Sequence, residues 1–209
     1  MIKHFIYDFD GTLSDSYPVF LKIVRKIARQ NGAITTATDA EIHRKMKERT
    51  IKAIALFQWS GEMSRQDFEV QFQRLQLEYA NEFALYPHAI ELLEAVIKSG
   101  KKNYLYTHSG KPVYKIMENM GISKYFTYVL DASQGFASKP APDALQFLCE
   151  KFGIDPKEAM MIGDRPIDVQ AGANAGMQSC MFDPDGYYAD EPATYYKTSL
   201  KDVMELIQN

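Results

Sequence analysis

The sequence is poor in cysteine, in long apolar runs and in net charge. Its only cysteines, Cys149 and Cys180, lie outside any Cys-x-x-Cys motif, and we expect two buried free thiols in a cytoplasmic protein. No stretch approaches the ~18 apolar residues that span a bilayer, and the N-terminal "MIKHFIYDFD" lacks the apolar run of a signal peptide. A net charge of −3 gives no electrostatic reason to bind nucleic acid. We therefore expect neither a membrane nor a nucleic acid as partner.

What the chain does contain is the composition and patterning of a globular α/β protein. Of its 209 residues, 46% are hydrophobic and 24% are charged, which suits one large domain or one domain with an insertion. The predicted strands are residues 2–9, "KNYLYTH", "YVLDAS", "AMMIGD" and, as the last one, "QSCMFD". Because helical patterns separate them, we predict a Rossmann-like parallel sheet with helices on both faces. The tyrosine-rich "GYYADEPATYY" is expected to be a turn.

Residues 16–83 interrupt this pattern with apolar residues at helical spacing and no strand. We predict an α-helical domain of residues 16–83, inserted into an α/β core of residues 1–15 and 84–209. Ser64 is expected to cap its clearest helix, and Asp15 and Ser16 to cap its first. The basic run "HRKMKERTIK" within it has two readings: a solvated helix face, or a place where Arg49 or Lys52 meets an anionic substrate.

The first predicted strand ends in two carboxylates, in the segment "IKHFIYDFDGTLSDS". Asp8 and Asp10 are two residues apart, so in a strand they point to the same face. Two carboxylates in a poorly solvated site repel each other, and one pKa rises unless a cation intervenes. Such a pair is solvated, holds a metal or carries a proton. The ordinary alternative is a polar strand end that runs into a glycine turn.

Other polar residues follow the later strands, and in such sheets ligands bind beyond the carboxyl ends of the strands. The second strand ends at Thr107, the loop after the third carries Lys139, and the fourth ends at Asp164, with Asp168 four residues later. We expect these side chains to converge with the aspartate pair on one rim of the sheet.

This set resembles the motifs of the haloacid dehalogenase superfamily of phosphohydrolases, and the resemblance covers nearly the whole chain. "DFDGTLSDS", "YTHSG", "SKPAPD" and "IGDRPID" are similar to the four motifs of that family, in the same order and spacing. The helical insertion resembles the family's small α-helical cap. The subgroup with this cap includes phosphoglycolate phosphatase-like enzymes and β-phosphoglucomutase.

The resemblance implies a catalytic role for four residues. Asp8 would attack phosphorus and form an aspartyl-phosphate, and Asp10 would protonate the leaving oxygen and then deprotonate water. Neighbouring carboxylates are expected to raise the pKa of Asp10. Thr107 would donate a hydrogen bond to the phosphoryl group, and Lys139 would neutralise its charge and bridge to Asp8.

The resemblance also implies a Mg²⁺ cofactor, a hard cation that prefers oxygen ligands. Asp8, the backbone carbonyl of Asp10, and Asp164 would hold it. Asp168 would orient Lys139 or a metal-bound water, although it could instead cap a helix.

Substrate contacts are predicted for four further residues. Gly11 and Thr12 would form the turn that receives the phosphate, His108 would contact the leaving group or only its own loop, and Arg49 would meet an anionic substrate end. Arg165 could pair with acidic neighbours or face the helical insertion.

Three functions remain open on this evidence. The first is a Mg²⁺-dependent phosphatase that hydrolyses a small-molecule phosphate ester, and the second is a β-phosphoglucomutase-like phosphomutase, which shares every core motif. The third is a non-catalytic phospho-receiver module, which combines Asp, Thr and Lys on a parallel sheet. The physiological substrate and the oligomeric state are left open.

Overall fold

The structure, a computed structural model, describes residues 1–208. The strands are β1 His4–Tyr7, β2 Ser14–Asp15, β3 Ala84–Leu85, β4 Lys102–Tyr106, β5 Phe126–Leu130, β6 Ala159–Gly163, β7 Gln178–Phe182 and β8 Tyr195–Lys197. The α-helices are α1 Tyr17–Gln30, α2 Asp39–Glu48, α3 Arg65–Glu78, α4 Ala89–Lys98, α5 Pro112–Asn119, α6 Asp143–Phe152, α7 Pro166–Asn174 and α8 Leu200–Val203. Short 3₁₀ helices include Thr50–Leu56 after α2 and Met204–Gln208 after α8.

Six strands form one sheet in the order β5-β4-β1-β6-β7-β8, and every neighbouring pair is parallel. β1 lies between β4 and β6, so the strand order reverses direction at β1. Ligands of parallel α/β sheets bind at this reversal point, outside the carboxyl ends of the strands. The fold therefore places the end of β1, where the aspartate pair lies, at the preferred position for a ligand.

The core lies on both faces of the sheet, as expected for parallel strands that helices cover on each side. In β1, Phe5 and Tyr7 belong to the apolar cluster on one face, and Ile6 belongs to the cluster on the other. All three side chains are fully buried. The six-stranded parallel sheet, with an apolar cluster on each face, confirms the predicted Rossmann-like fold.

Along the chain, helices α1, α2 and α3 all come after β2 and before β3, and these two strands pair antiparallel. The buried stripe of α1 continues into the same apolar cluster that covers one face of the sheet. Thr38 and Glu41 form a capping box at the start of α2, and Ser64 accepts a hydrogen bond from Asp67 N at the start of α3, as predicted.

Several predictions of local structure were wrong. The chain has a strand after "QSCMFD": β8 begins at the end of the tyrosine-rich segment predicted as a turn, extends to Lys197 and pairs with β7. Ser16 precedes α1 but does not cap it, since its hydroxyl donates to Asp10 Oδ1 instead; Asp15 belongs to β2. Cys180 is buried, whereas Cys149 is only partly buried.

Within residues 1–208, no helix combines the length and the apolar character that a bilayer crossing requires.

Candidate active site

The turn after β1 brings the first aspartates to the rim of the sheet. Asp8 N still donates to Ile162 O of β6 at 2.8 Å, and Gly11 N donates to Ser14 O at 2.8 Å, so the chain leaves the sheet and folds back within three residues. Gly11 has a φ of 86°, which favours glycine. A Cβ at this position would lie 2.3 Å from Asp164 Oδ2. Glycine is therefore required both by the backbone and by the close approach of a second aspartate.

Lys139 lies at the centre of the buried polar network. Its ammonium donates to Asp168 Oδ1 at 2.6 Å, Asp8 Oδ1 at 2.7 Å and Tyr106 O at 3.0 Å. Burial lowers the pKa of this ammonium, but Asp168 and Asp8 outweigh burial and the pKa lies above its ordinary value. All three ammonium hydrogens have an acceptor, which is how a buried charge is tolerated.

The two carboxylates that share Lys139 have opposite pKa shifts. Burial raises the pKa of Asp8 to about 7, against the opposing effect of Lys139. Burial also acts on Asp168, but Lys139 and Arg165 outweigh it and hold the pKa of Asp168 below its ordinary value. Asp168 Oδ2 also accepts from Arg165 N at 3.1 Å. Asp168 therefore contacts Lys139 and caps α7 at the same time, so the two alternatives from the sequence are both realised in the geometry.

Asp10 is bonded to hydroxyl groups on both of its oxygens. Ser16 Oγ donates to Oδ1 at 2.7 Å, and Ser109 Oγ donates to Oδ2 at 2.6 Å. The pKa of Asp10 is raised, as expected, but the cause differs from the expected one. Burial has the largest effect on this pKa, and the neighbouring carboxylate of Asp164 raises it less.

Thr107 and His108 follow β4 and line the same cavity as Asp8 and Asp10. Thr107 Oγ1 accepts from Ser109 N at 3.0 Å, which leaves its hydroxyl hydrogen to donate elsewhere. His108 Nε2 accepts from Lys139 N at 3.0 Å. Burial, then the charges of Lys139 and Arg165, lower the pKa of His108 to about 3, so the ring is neutral.

Both carboxylate oxygens of Asp164 accept hydrogen bonds. Thr12 Oγ1 donates to Oδ1 at 3.3 Å, while Tyr17 OH and Lys47 Nζ each lie 3.0 Å from Oδ2. Asp164 has no exposed surface. Tyr17 and Lys47 were not singled out from the sequence. The solvated-face reading of the basic run was wrong for Lys47, which is 1% exposed.

Among residues 1–208, three buried carboxylates lie close enough together to hold a cation. Asp8, Asp164 and Asp168 each offer one oxygen, and these oxygens lie within 4.8 Å of one another. Asp168 is bonded to Lys139 and to the backbone of α7, whereas Asp8 Oδ2 is buried without a hydrogen-bond partner among residues 1–208. A buried oxygen without a donor is a costly group that a cation would satisfy. An all-oxygen donor set suits Mg²⁺, so the residues present fit that ion.

A cavity of about 360 Å³ opens above Asp8 and Asp10. Its other wall comes from the helical segment, with Arg49 after α2 and Arg65, Glu69, Gln73 and Gln76 along one face of α3. Arg65 Nε pairs with Glu69 at 2.6 Å. The guanidinium of Arg49 has no ion pair or side-chain hydrogen bond within the part of the chain that the structure describes.

The structure does not bring all the predicted residues to this cavity. Asp8, Asp10, Thr107, His108, Arg49 and Arg165 line it. Gly11, Thr12, Lys139, Asp164 and Asp168 lie outside its lining, behind the first two aspartates. Lys52 also lies outside and pairs with Glu48 at 3.2 Å. The guanidinium of Arg165 lies 3.7 Å from Asp8 Oδ2 and 3.8 Å from Asp168 Oδ2, beyond hydrogen-bond distance.

The chain was compared with known families and proteins. The family model of the haloacid dehalogenase-like hydrolases matches residues 5–182. A phosphoglycolate phosphatase from Vibrio vulnificus (strain YJ016) is 30% identical over 190 residues, which cover 85% of this chain and 82% of that protein.

Solved structures share the fold. A predicted phosphoglycolate phosphatase from Haemophilus somnus 129pt superimposes with a TM-score of 0.82 at 21% identity, covering 98% of this chain and 97% of that one. CbbY from Rhodobacter sphaeroides, solved in complex with phosphate, gives a TM-score of 0.80 at 17% identity, with 97% and 96% covered. At these identities the likeness concerns the fold alone.

Proposed function

The chain belongs to the haloacid dehalogenase-like hydrolases and is a phosphoric monoester hydrolase, and from that premise we propose how it works and on what. Asp8 attacks the phosphoryl group of a small-molecule ester, Asp10 handles the proton, and Mg²⁺ is the cofactor. Because the chain belongs to a family of hydrolases, the alternative of a non-catalytic phospho-receiver module has no support.

The observation that carries this proposal is the state of Asp8. Its Oδ1 is held by Lys139 at 2.7 Å, and its Oδ2 has no hydrogen-bond partner among the described residues. The carboxylate lies at the floor of the cavity that also exposes Asp10 and Thr107. Lys139 therefore holds the carboxylate in one orientation beside the cavity, which is the arrangement that a positioned nucleophile requires.

The reaction divides into two displacements at phosphorus. In the first, an Asp8 oxygen forms a bond to phosphorus, the ester P–O bond breaks, and the leaving oxygen takes the proton from Asp10. In the second, Asp10 takes a proton from water, the water oxygen bonds to phosphorus, and the Asp8–phosphorus bond breaks to release phosphate. Asp10 ends each cycle protonated, as it began.

The surroundings of Asp10 suit this exchange. Its raised pKa, caused first by burial, favours a proton on the carboxyl before the first displacement. The hydroxyls of Ser16 and Ser109 fix both oxygens, so the proton is presented from a defined position. Thr107 then has a hydroxyl hydrogen to donate to a phosphoryl oxygen.

Asp8, the backbone carbonyl of Asp10, and Asp164 would hold Mg²⁺. When bound, the ion supplies positive charge that keeps Asp8 ionised and offsets the charge of the phosphoryl oxygens. Asp168 would position Lys139, because its Oδ1 accepts from Lys139 and its Oδ2 from the start of α7.

The substrate is proposed to carry a second anionic group, such as a carboxylate. Helices α1–α3 act as a cap domain over the cavity in this proposal, and the unpaired guanidinium of Arg49 faces the substrate end remote from Asp8. A volume of about 360 Å³ suits a small metabolite. Phosphoglycolate, named in the Vibrio vulnificus relative, is a compound of this kind.

The test is phosphate release from a panel of esters, with and without Mg²⁺. We expect turnover of phosphoglycolate above that of glucose 6-phosphate and para-nitrophenyl phosphate, and loss of turnover in EDTA that added Mg²⁺ restores. Full turnover in chelator would refute the cofactor. Phosphoryl transfer to a sugar hydroxyl without phosphate release would point to the phosphomutase.

A further inference from the structure

Lys47 is a buried ammonium that bonds directly to the carboxylate proposed to hold the cation. It lies on α2, in the helical segment, yet its side chain has no exposed surface. Nζ lies 3.0 Å from Asp164 Oδ2 and 3.2 Å from Asp185 Oδ2 in the loop after β7. A buried lysine is retained in a fold only when its charge is paired. One of the two carboxylates that pair with Lys47 is Asp164, which follows β6 at the rim of the sheet.

This contact covers Oδ2 of Asp164, whereas Oδ1 accepts, within residues 1–208, only from Thr12 at 3.3 Å. The carboxylate is wholly buried, lies outside the lining of the cavity, and is bonded by Thr12, Tyr17 and Lys47 at once. The ring of Tyr17 lies 5.0 Å from the Lys47 ammonium. A divalent ion cannot use Asp164 Oδ2 while Lys47 and Tyr17 both occupy it. Of the two, only Lys47 carries a charge that repels the ion.

We propose that Lys47 is an internal counter-ion of the cation site. Its charge neutralises Asp164 and opposes the binding of a divalent ion beside that carboxylate, and it must release Oδ2 for an ion to use that oxygen. Asp185, its second carboxylate partner, receives the ammonium when that happens. Because Lys47 belongs to α2, binding of the ion is linked to the position of that helix over the rim. This inference rests on the proposed function, since it concerns the same Mg²⁺ site.

The experiment measures Mg²⁺ binding without substrate or turnover, by isothermal titration calorimetry of the folded protein. Wild type is compared with Lys47→Met, which keeps the length of the side chain and removes its charge. We expect Lys47→Met to bind Mg²⁺ at least about tenfold more tightly, because a unit charge a few ångströms from a divalent ion in a protein interior is worth more than one factor of ten. Lys47→Gln serves as a second variant if the methionine variant folds poorly.

Lys45→Met is the matched control, since Lys45 is on the same helix but its side chain is 43% exposed and pairs with Glu48. Its Mg²⁺ affinity should stay within about twofold of wild type because solvent screens exposed charges. Equal or weaker Mg²⁺ binding by the folded Lys47 variants, with wild type binding normally, would overturn this inference and leave the proposed function standing. Absence of Mg²⁺ binding in wild type and in all variants would overturn both.

Discussion

The two walls of the cavity differ in how deeply their charged side chains are buried. On the sheet side, Asp10 has a donor on each oxygen and Asp8 is held by a lysine with three acceptors. On the helical side, Arg65 pairs with a neighbour on its own helix, and Arg49 has no side-chain partner among residues 1–208. The same cavity thus has one wall whose carboxylates are held by buried hydrogen bonds and one wall whose charged side chains, Arg49, Arg65 and Glu69, are exposed.

The difference follows from what each wall is asked to do. Transition-state stabilisation requires groups held in place before the substrate arrives, and buried networks on strand ends provide that rigidity. Substrate recognition can use longer side chains that adjust when a ligand binds. We therefore expect changes on the sheet side to reduce turnover of every substrate, and changes on the helical side to alter preference between substrates. The following predictions test this division, from the largest effect to the smallest.

Asp8→Asn should reduce phosphate release by roughly 10⁴-fold or more, because an amide cannot replace the attacking carboxylate. The loss should be equal for phosphoglycolate and para-nitrophenyl phosphate, measured by phosphate or nitrophenol release. Circular dichroism should show an intact fold. Asp190→Asn, at an exposed position, is the control and should retain wild-type rates. Substantial turnover by folded Asp8→Asn would remove Asp8 as nucleophile.

Asp10→Asn should lower kcat by about 10²- to 10⁴-fold, the usual scale for loss of a general acid–base group. Mg²⁺ affinity should change little, because the backbone carbonyl and not the carboxylate of Asp10 is the proposed ligand. Steady-state kinetics and calorimetry measure the two quantities separately. A variant that hydrolyses at the normal rate would place the proton transfer on another group.

Arg49→Ala should lower kcat/KM for phosphoglycolate by about ten- to a hundredfold, the scale of one or two lost hydrogen bonds to a charged group. The rate with para-nitrophenyl phosphate should change little, because that substrate has no second anionic end. Lys52→Ala is the control, since Lys52 is exposed and lies outside the cavity. Equal losses on both substrates would assign Arg49 to the chemistry or the fold and break the division between the walls.

His108 provides a smaller test, on stability. Its pKa is lowered to about 3, first by burial and then by Lys139. Below the ordinary histidine pKa of about 6.5, the unfolded chain therefore binds a proton at this residue that the folded chain does not. This contribution to stability is therefore present above about pH 6.5 and decreases as the pH falls. Between pH 7 and pH 5, wild type should lose up to about 2 kcal/mol more than His108→Asn. Denaturant titrations at both pH values measure the difference, and parallel losses would contradict it.

Much of the fold and of the rim could be predicted because the relevant signals are local in the chain. Short apolar runs marked β1, β4 and β6, and helical apolar patterns marked most of the helices, to within a few residues. The positions of Asp8, Thr107 and Asp164 at strand ends then followed, since parallel strands present their carboxyl ends on one edge. Strand β8 was missed, because three residues at the end of a tyrosine-rich segment give too weak a periodic signal to separate a strand from a turn.

The sequence by itself determined the alternation of the five longer core strands with helices, and it determined which aspartates follow those strands at the rim. Only the tertiary structure decided what those side chains contact. Tyr17 and Lys47 reach Asp164 across 147 and 117 residues of chain, and Ser16 turns away from its helix to Asp10. Periodicity describes which face of an element is apolar, but the partner of a buried polar group is whichever donor or acceptor the packing of distant elements brings within hydrogen-bond distance. For Lys47 that packing replaced a solvated helix face with a fully buried ion pair.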